Sequence, residues 1–301
     1  MRAVVLGTRG SSLAMCQTQI VRARLEERVP ALPVRVQALT AQADRHPEVP
    51  LAALSGEGVF VKELEAALLG GRIDVAVHSL KDLPLDLPNG LEIAAVLERD
   101  EPRDALVSRS GVRFEELPRG ARVGTSSLRR RSQLLAWRRD LEMLDIRGNV
   151  DTRLRKLDES RYDAIVVAAC GLIRLGLEER ITEHLELSRM LPEPGQGALA
   201  VEVRADDREM ADWVSGLEDP VTRACVDAER AFLRALGGGC RVPIAAYASE
   251  CQGSLTLEGA VIAADGSRQL RATLTGPMTE PVALGDCLAG QLAAQGAKEL
   301  L

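Results

Sequence analysis

The sequence predicts an α/β protein of several units that closes with an α+β segment, and three observations carry that prediction. Its 301 residues exceed what one hydrophobic core usually organises. Over the first two thirds, short apolar runs alternate with helical periodicities, the pattern of α/β units with buried, largely parallel strands. From Pro220 onward the order changes to a long helix followed by a run of strands, the pattern of an α+β unit with an antiparallel sheet.

Taken in order, the first unit reads as strands Ala3 to Leu6, Val34 to Leu39, Asp74 to Val77 and Leu91 to Val96. Helices fall at Ser12 to Arg28, with Ser11 as N-cap, and at Val59 to Leu69, stopped by Gly70 and Gly71. The stretch 41–58, with Pro47, Pro50, Gly56 and Gly58, has no periodicity and reads as a loop or lid. After the charged segment LERDEPRDA, a second series gives strands near Ala105 to Ser108, Arg122 to Gly124, Glu142 to Ile146 and Ala164 to Ala169. Helices are expected at 127–139, 149–159 and 172–188. The stretch MLPEPGQGALAVEVR then reads as a return crossing into one more strand. The last segment predicts a helix over 220–236, a Gly237-Gly238-Gly239 break, strands 242–249, 254–264 and 268–275, and a closing helix over 281–300. Asp265-Gly266 marks the hairpin between the last two strands.

Composition narrows the function. Hydrophobic residues make up 46% and charged ones 27%, near globular averages, and no uncharged apolar run approaches the ~18 residues that a bilayer crossing needs. The opening MRAVVLGTRGSS has no long apolar core or small-residue cleavage site, so a cytoplasmic protein is expected. Six scattered cysteines without a CxxC pair are expected to be free thiols, and three histidines in no ligand spacing give no reason to expect a metal. There is no GxxxxGK[ST] phosphate loop.

Net charge is −6, yet residues 99–155 hold 14 arginines against 9 acidic residues, a local +5. An anionic partner is expected there. Seven aromatic residues in the whole chain are too few for a stacking platform on single-stranded nucleic acid, so small carboxylates or phosphates fit better. Two hydroxyl-rich turns between strand and helix, GTRGSS at 7–12 and GTSSLRRR at 124–131, put free backbone N–H groups beside Arg9 and beside Arg129 and Arg130. Ordinary N-capping explains the hydroxyls equally well. It does not explain the cations, which oppose a helix N-terminus unless an anion answers them. VHSLKDLP at 77–84 places Lys81 and Asp82 at a strand end, either a salt-bridged loop or a carboxylate among cations that stabilises positive charge on a substrate. RGNVDTRLRKLD at 147–158 sets Arg147 before a helix and Arg153 inside it, which a solvated helical face would also explain. Cys240 in GGGCR differs from the other thiols, since its glycine-rich setting and Arg241 favour an exposed thiolate. An inert loop cysteine is the alternative.

Eight strings in register, GTRGSSLAMCQ, FVKELEAALL, VHSLKDLP, GTSSLRR, RGNVDTRL, GLIRLGL, PGQGALAVE and AERAFLRALGGGCRVPIAAYA, resemble the porphobilinogen deaminase (hydroxymethylbilane synthase) family over nearly the whole chain. The resemblance implies two periplasmic-binding-protein-like α/β domains and a C-terminal α+β domain with a small antiparallel sheet. The domains would be 1–98 with 195–217, then 99–194, then 218–301 carrying Cys240. It implies a transferase of tetrapyrrole and haem biosynthesis that joins four porphobilinogen units head to tail, releasing four ammonia. A dipyrromethane cofactor would be held by a thioether to Cys240, with Asp82 catalytic. Binding residues carried over by motif are Arg9, Ser11, Lys81, Arg129, Arg130, Arg147, Arg153 and Arg174, with Gln17, Thr125 and Ser127. No metal, membrane or nucleic-acid partner is implied, and a monomer is expected.

Two departures stand out. The lid usually reads close to GGKGLF, whereas this chain has SGEGVF with Glu57 at the lysine position. Asp151 stands where glycine is common, favourable to the helix dipole but close to the arginines. Two other classes remain open at this level. A non-enzymatic carboxylate-binding protein would need neither the Cys240 loop nor a third unit, and a cysteine hydrolase would need a histidine partner that no recognised arrangement supplies.

Overall fold

The computed structural model describes residues 3–30, 32–40, 61–239 and 242–301. The chain runs through β1 (Val4–Arg9), α1 (Ser12–Arg28), β2 (Val34–Leu39), α2 (Lys62–Leu69), β3 (Val75–Ser79), β4 (Leu91–Val96) and β5 (Asp104–Ser108). Next come β6 (Arg122–Gly124), α3 (Leu128–Trp137), β7 (Glu142–Leu144), α4 (Val150–Asp158), β8 (Ala164–Ala168), α5 (Ala169–Arg174) and β9 (Glu183–His184). It ends with β10 (Leu199–Arg204), α6 (Arg208–Ser215), α7 (Pro220–Ala235), β11 (Ile244–Cys251), β12 (Ser254–Ile262), β13 (Gln269–Pro277) and α8 (Pro281–Ala294). These elements form two compact units, one from residues 1–99 and 197–223 and one from residues 100–196 and 224–301.

The first unit is a five-stranded sheet in the order β2-β1-β3-β10-β4. β1 runs parallel to β2 and β3, whereas β10 is antiparallel to β3 and β4, so the sheet is mixed rather than parallel throughout. Its central strands, β3 and β10, are buried on both faces because both faces are covered. On one side Val21 and Leu25 of α1 and Met210 and Val214 of α6 pack on Leu6, Val75, Val77 and Val201. On the other side Leu64, Ala67 and Leu68 of α2 pack on Ile73 and Ala76. α1 starts at Ser11, whose hydroxyl accepts from the Ala14 amide. The eight-residue α6 was not anticipated, although Asp207 caps it by accepting from the Met210 amide and REMADWVS is strongly amphipathic.

The second unit contains a five-stranded sheet, β7-β6-β8-β5-β9, in which β6 is parallel to β7 and β8 and β5 is antiparallel to β8 and β9. It also contains a three-stranded antiparallel sheet, β11-β12-β13. α8 lies on that small sheet, where Gly276 of β13 abuts Leu284. Phe232 of α7 presses on Gly259 of β12 so closely that any side chain at 259 would collide with its ring. The buried run of β8, AIVVA, is the centre of the larger sheet.

The expected helix over 172–188 is corrected. α5 ends at Arg174, Gly176 turns the chain at φ +67, and the remainder forms one 3-10 turn and β9. The edge pairing of β9 with β5, together with Thr182 Oγ1 accepting from the Ser108 amide at 2.9 Å, outweighs the local helical periodicity. The closing helix is also shorter than expected, ending at Ala294 before a 3-10 turn over Ala297–Leu300. The expected loop at 41–58, Glu57 included, lies outside the described residues, as do Cys240 and Arg241.

Candidate functional site

In the first sheet β1 leads through α1 to β2 on one side, while β3 joins β1 on the other. The carboxyl ends of β1 and β3 therefore flank a topological switch point, where open α/β sheets form a crevice. The side chains delivered there follow from the strand ends. β1 ends at Arg9, Ser11 caps α1, and Gln17 lies one and a half turns into that helix. β3 ends at Ser79 and passes into a 3-10 turn over Leu80–Asp82 that carries Lys81 and Asp82. The turn is tied back by the Leu80 amide donating to the Ala198 carbonyl at 3.0 Å.

Arg9, Ser11, Gln17, His78, Ser79 and Asp82 line one pocket, open to solvent, whose apolar wall includes Leu13, Val61 and Val77. Gln17, only 4% exposed, donates Nε2–H to Ser79 Oγ at 2.9 Å and so fastens α1 to the end of β3. A carboxylate, a guanidinium and two hydroxyls thus share one concave surface, able to hold an anionic group and a cationic one at the same time. Lys81 lies on the Asp82 turn, half-buried.

The second sheet repeats the order. β6 leads through α3 to β7 on one side and meets β8 on the other. The remaining predicted residues gather at the carboxyl ends of these three parallel strands. Thr125 follows β6, with its Oγ1 accepting from the Ser127 amide, and Ser127 caps α3 by accepting from the Arg130 amide. Arg147 follows β7, and its carbonyl accepts from Lys156 Nζ. Gly148, at φ +110 and with Thr152 where a Cβ would stand, makes the tight entry to α4, which Asn149 caps. Arg153 within α4 donates Nε–H to the Gly148 carbonyl at 2.8 Å. Arg174 ends α5 and reaches Asp100 at 2.7 Å.

Arg129 and Arg130 are not displayed on a surface. Both are buried against Asp104, the first residue of β5, which is antiparallel to β8 and so enters at the same sheet edge. Arg129 Nη1 lies 2.7 Å from Asp104 Oδ2, Arg130 Nη2 lies 2.8 Å from Oδ1, and Gln196 Nε2 donates to Oδ1 at 2.9 Å. Burial alone would push the Asp104 carboxyl up. The charges of Arg129 and Arg130 and the hydrogen bonds from Arg129 and Gln196 outweigh it and hold the group well below the ordinary carboxylate range. Two guanidiniums against one carboxylate leave a buried excess of one positive charge, and Nε and Nη2 of Arg129 have no hydrogen-bond partner among the described residues.

Sequence reasoning missed Asp104 and Gln196, although both stood in strings already singled out, LERDEPRDA and PGQG. The signal was an acidic residue opening an apolar strand, which is costly unless cations meet it. His78 was passed over in the same way inside VHSLKDLP. Among the described residues no group of three or more His, Cys, Asp or Glu side chains gathers as a metal site, and no helix is long and apolar enough to cross a membrane.

Two sheets of equal strand order, each with arginine near its switch point, define an α/β protein with cationic side chains at the carboxyl ends of the parallel strands in each sheet. The comparisons give the family. Residues 4–212 match the porphobilinogen deaminase dipyromethane cofactor binding domain, and residues 223–294 match the porphobilinogen deaminase C-terminal domain. The chain is 47% identical to the porphobilinogen deaminase of Geobacter metallireducens over 98% of its own length and 93% of that protein's. It is 50% identical to the porphobilinogen deaminase of Desulforudis audaxviator over 100% of its own length and 97% of that protein's. A probable amino-acid ABC transporter extracellular-binding protein from Bacillus subtilis overlaps 72% of this chain and 90% of its own at 12% identity and a TM-score of 0.41. The chain belongs to the porphobilinogen deaminase family.

Proposed function

We propose that the protein condenses four porphobilinogen units head to tail into the linear tetrapyrrole hydroxymethylbilane, releasing one ammonia per unit and adding water at the end. The observation that carries this reading is Asp82, placed by the turn after β3 into the pocket it shares with Arg9, Ser11 and Gln17. Each porphobilinogen brings an acetate, a propionate and an aminomethyl group, so a productive pocket must hold carboxylates and tolerate positive charge on the pyrrole. Arg9 and Ser11 supply the first need, as a guanidinium and a hydroxyl at the start of α1. Asp82 supplies the second. As ammonia departs, positive charge spreads into the substrate ring, and a fixed carboxylate nearby stabilises it more than it stabilises the neutral ground state.

The dipyrromethane cofactor named for the family's first domain consists of two substrate units and carries the same carboxylates. The residues of this chain fit it. Among the described residues two buried nitrogens of Arg129, Nε and Nη2, have no hydrogen-bond partner, in a cluster with surplus positive charge, which is the chemistry a carboxylate answers. On this reading Arg129, Arg130, Arg147, Arg153 and Arg174, with Lys81, Thr125 and Ser127, hold the carboxylates of cofactor and growing chain, and Cys240 is the point of thioether attachment. When bound, the cofactor supplies the nucleophilic pyrrole carbon to which units are added. The rest of the reading is a monomer of the cytoplasm, divided into domains at 1–98 with 195–217, 99–194 and 218–301, with no nucleic-acid, membrane or metal partner. The scarcity of aromatic residues beside so many arginines favours small carboxylates over nucleic acid.

The direct test is turnover. Purified holoenzyme given porphobilinogen should release four ammonia for each hydroxymethylbilane formed. Binding of porphobilinogen without ammonia release would favour the plain carboxylate-binding protein instead.

A further inference from the structure

A second ionisable cluster adjoins the Asp82 turn, and the reading above does not use it. In the register of β3 and β10, His78 pairs with Ala200 and Ala76 pairs with Glu202. His78 and Glu202 are therefore diagonal neighbours on one face of the sheet. The two side chains meet at 2.9 Å, Nε2 to Oε2, with side-chain exposures of 3% and 0%. Glu65, from the α2 helix that covers this face, is buried as well. Oε1 of Glu202 and Oε1 of Glu65 have no hydrogen-bond partner among the described residues. Burial raises the Glu65 carboxyl above its ordinary range, and the charge of Glu202 raises it further against the smaller opposing pull of His78 and Lys62.

Two buried carboxylates beside a neutral imidazole would place two negative charges in a region with little water, which is expensive without compensation. Other charges on the surrounding elements do not remove that cost. Lys62 on α2 is exposed, and Glu63 on the same helix adds to the negative side. Arg204 on β10 is taken by Asp74 and Asp207, Arg9 on β1 and Asp82 line the substrate pocket, and Lys81 lies on the Asp82 turn. Glu65 is the member of the cluster that burial pushes toward the protonated form. The cluster matters because His78 lies one residue before the end of β3, lines the same pocket as Asp82, and is four residues ahead of it.

We propose that His78 is a positioning residue for Asp82: clamped by Glu202 across the strand pair and flanked by the buried Glu65 carboxyl, it sets where the end of β3 delivers the Asp82 carboxylate. The proposal rests on the reading of Asp82 as the catalytic carboxylate. Displacement of a catalytic group by a fraction of an ångström is enough to cost one or two decades in rate. Ionisation of the raised Glu65 carboxyl as pH increases adds a buried negative charge beside the His78–Glu202 clamp, so the cluster predicts an alkaline limb in kcat.

The experiment uses cofactor-loaded enzyme and variants at His78 and Glu65, with kcat and KM measured across pH and cofactor loading checked by mass. His78→Ala is expected to lower kcat roughly 10- to 100-fold with KM changed less than about threefold. His78→Gln, whose amide can still donate to Glu202, is expected to recover part of the loss. Glu65→Gln cannot ionise, so its kcat is expected to lose the alkaline limb. Wild-type kcat in His78→Ala, or an alkaline limb retained in Glu65→Gln, would overturn the proposal. So would a loss in His78→Ala that tracks a lowered melting temperature and is not relieved by His78→Gln. Parent enzyme that makes no hydroxymethylbilane would instead remove the functional reading itself.

Discussion

Asp104 Oδ2 sits 2.7 Å from Arg129 Nη1, with side-chain exposures of 0% and 2%. The chain thus answers its own cations at the start of α3 with a carboxylate drawn from the edge of the neighbouring antiparallel strand. Removing that carboxylate leaves two buried guanidiniums with only backbone and amide oxygens among the described residues. Asp104→Asn is expected to cost about 3–5 kcal/mol of stability, the usual penalty for orphaning a buried ion. Urea unfolding at pH 7 checks this, and a loss under 1 kcal/mol would mean that the surrounding carbonyls suffice.

The Asp82 assignment predicts a separation between chemistry and folding. Asp82→Asn keeps the shape of the side chain and deletes its charge, so kcat should fall by about two to three orders of magnitude. Melting temperature and cofactor mass should stay close to the parent's. Steady-state kinetics beside intact mass make the comparison, and an unchanged kcat would exclude Asp82 from the chemistry.

Attachment through Cys240 is a prediction about mass alone. Protein produced in cells that make porphobilinogen should weigh more than its sequence by two deaminated pyrrole units, and Cys240→Ala should weigh its sequence. The same excess over sequence mass in both proteins would place the attachment elsewhere, and no excess in either would remove it.

Arginines at the second sheet edge should fail in distinguishable ways. Arg147→Leu, if it strands a carboxylate of the chain, is expected to cost on the order of 2–5 kcal/mol of binding. Intermediates with one to three added units should then accumulate in native mass spectra during limited substrate addition. Arg129→Leu should instead impair stability and holoenzyme assembly together, because it also removes one of the two guanidiniums that meet the buried Asp104. Identical ladders for the parent and both variants would sink the carboxylate reading.

Acid stability has a separate source at Asp163. Hydrogen bonds from Arg122 are the main cause holding this carboxyl down to about 2, with Arg109 adding to them. A carboxylate with a folded pKa below its unfolded one contributes stability that is present above the unfolded value and lost as pH falls toward the folded one. Asp163→Asn should therefore be less stable than the parent by on the order of 1–2 kcal/mol near neutrality. The difference should shrink between about pH 5 and pH 2. Melting curves across that window decide it, and a gap that persisted at pH 2 would assign the effect to packing.

Much of the architecture was legible because it is local. Val34–Leu39, Leu91–Val96, Arg122–Gly124 and Ser12–Arg28 have the bounds their periodicity predicts. The segment after Arg174 was misread because its helical spacing loses to the edge pairing of Glu183 and His184 with β5, an interaction about 80 residues distant in the chain. The site divides along the same line. Ser11, Asp82 and the Arg129 pair announce themselves by residue type at a strand end. The pairing of His78 with Glu202 spans 124 positions, and Asp104 meets Arg129 across 25. Neither leaves a periodic trace, since both depend on which strands become neighbours.

The choice of arginine has a consequence for how activity responds to its medium. Of the 38 basic residues, 34 are arginine, and a guanidinium stays protonated at any pH a folded protein survives. The cradle proposed for the substrate's acetates and propionates therefore keeps a nearly constant charge across the physiological range, and substrate capture should be almost indifferent to pH while remaining sensitive to ionic strength. Acidity can then act only through groups that exchange protons. A pH titration of turnover in this protein is accordingly a selective reporter on its carboxylates, its histidines and the single lysine beside Asp82.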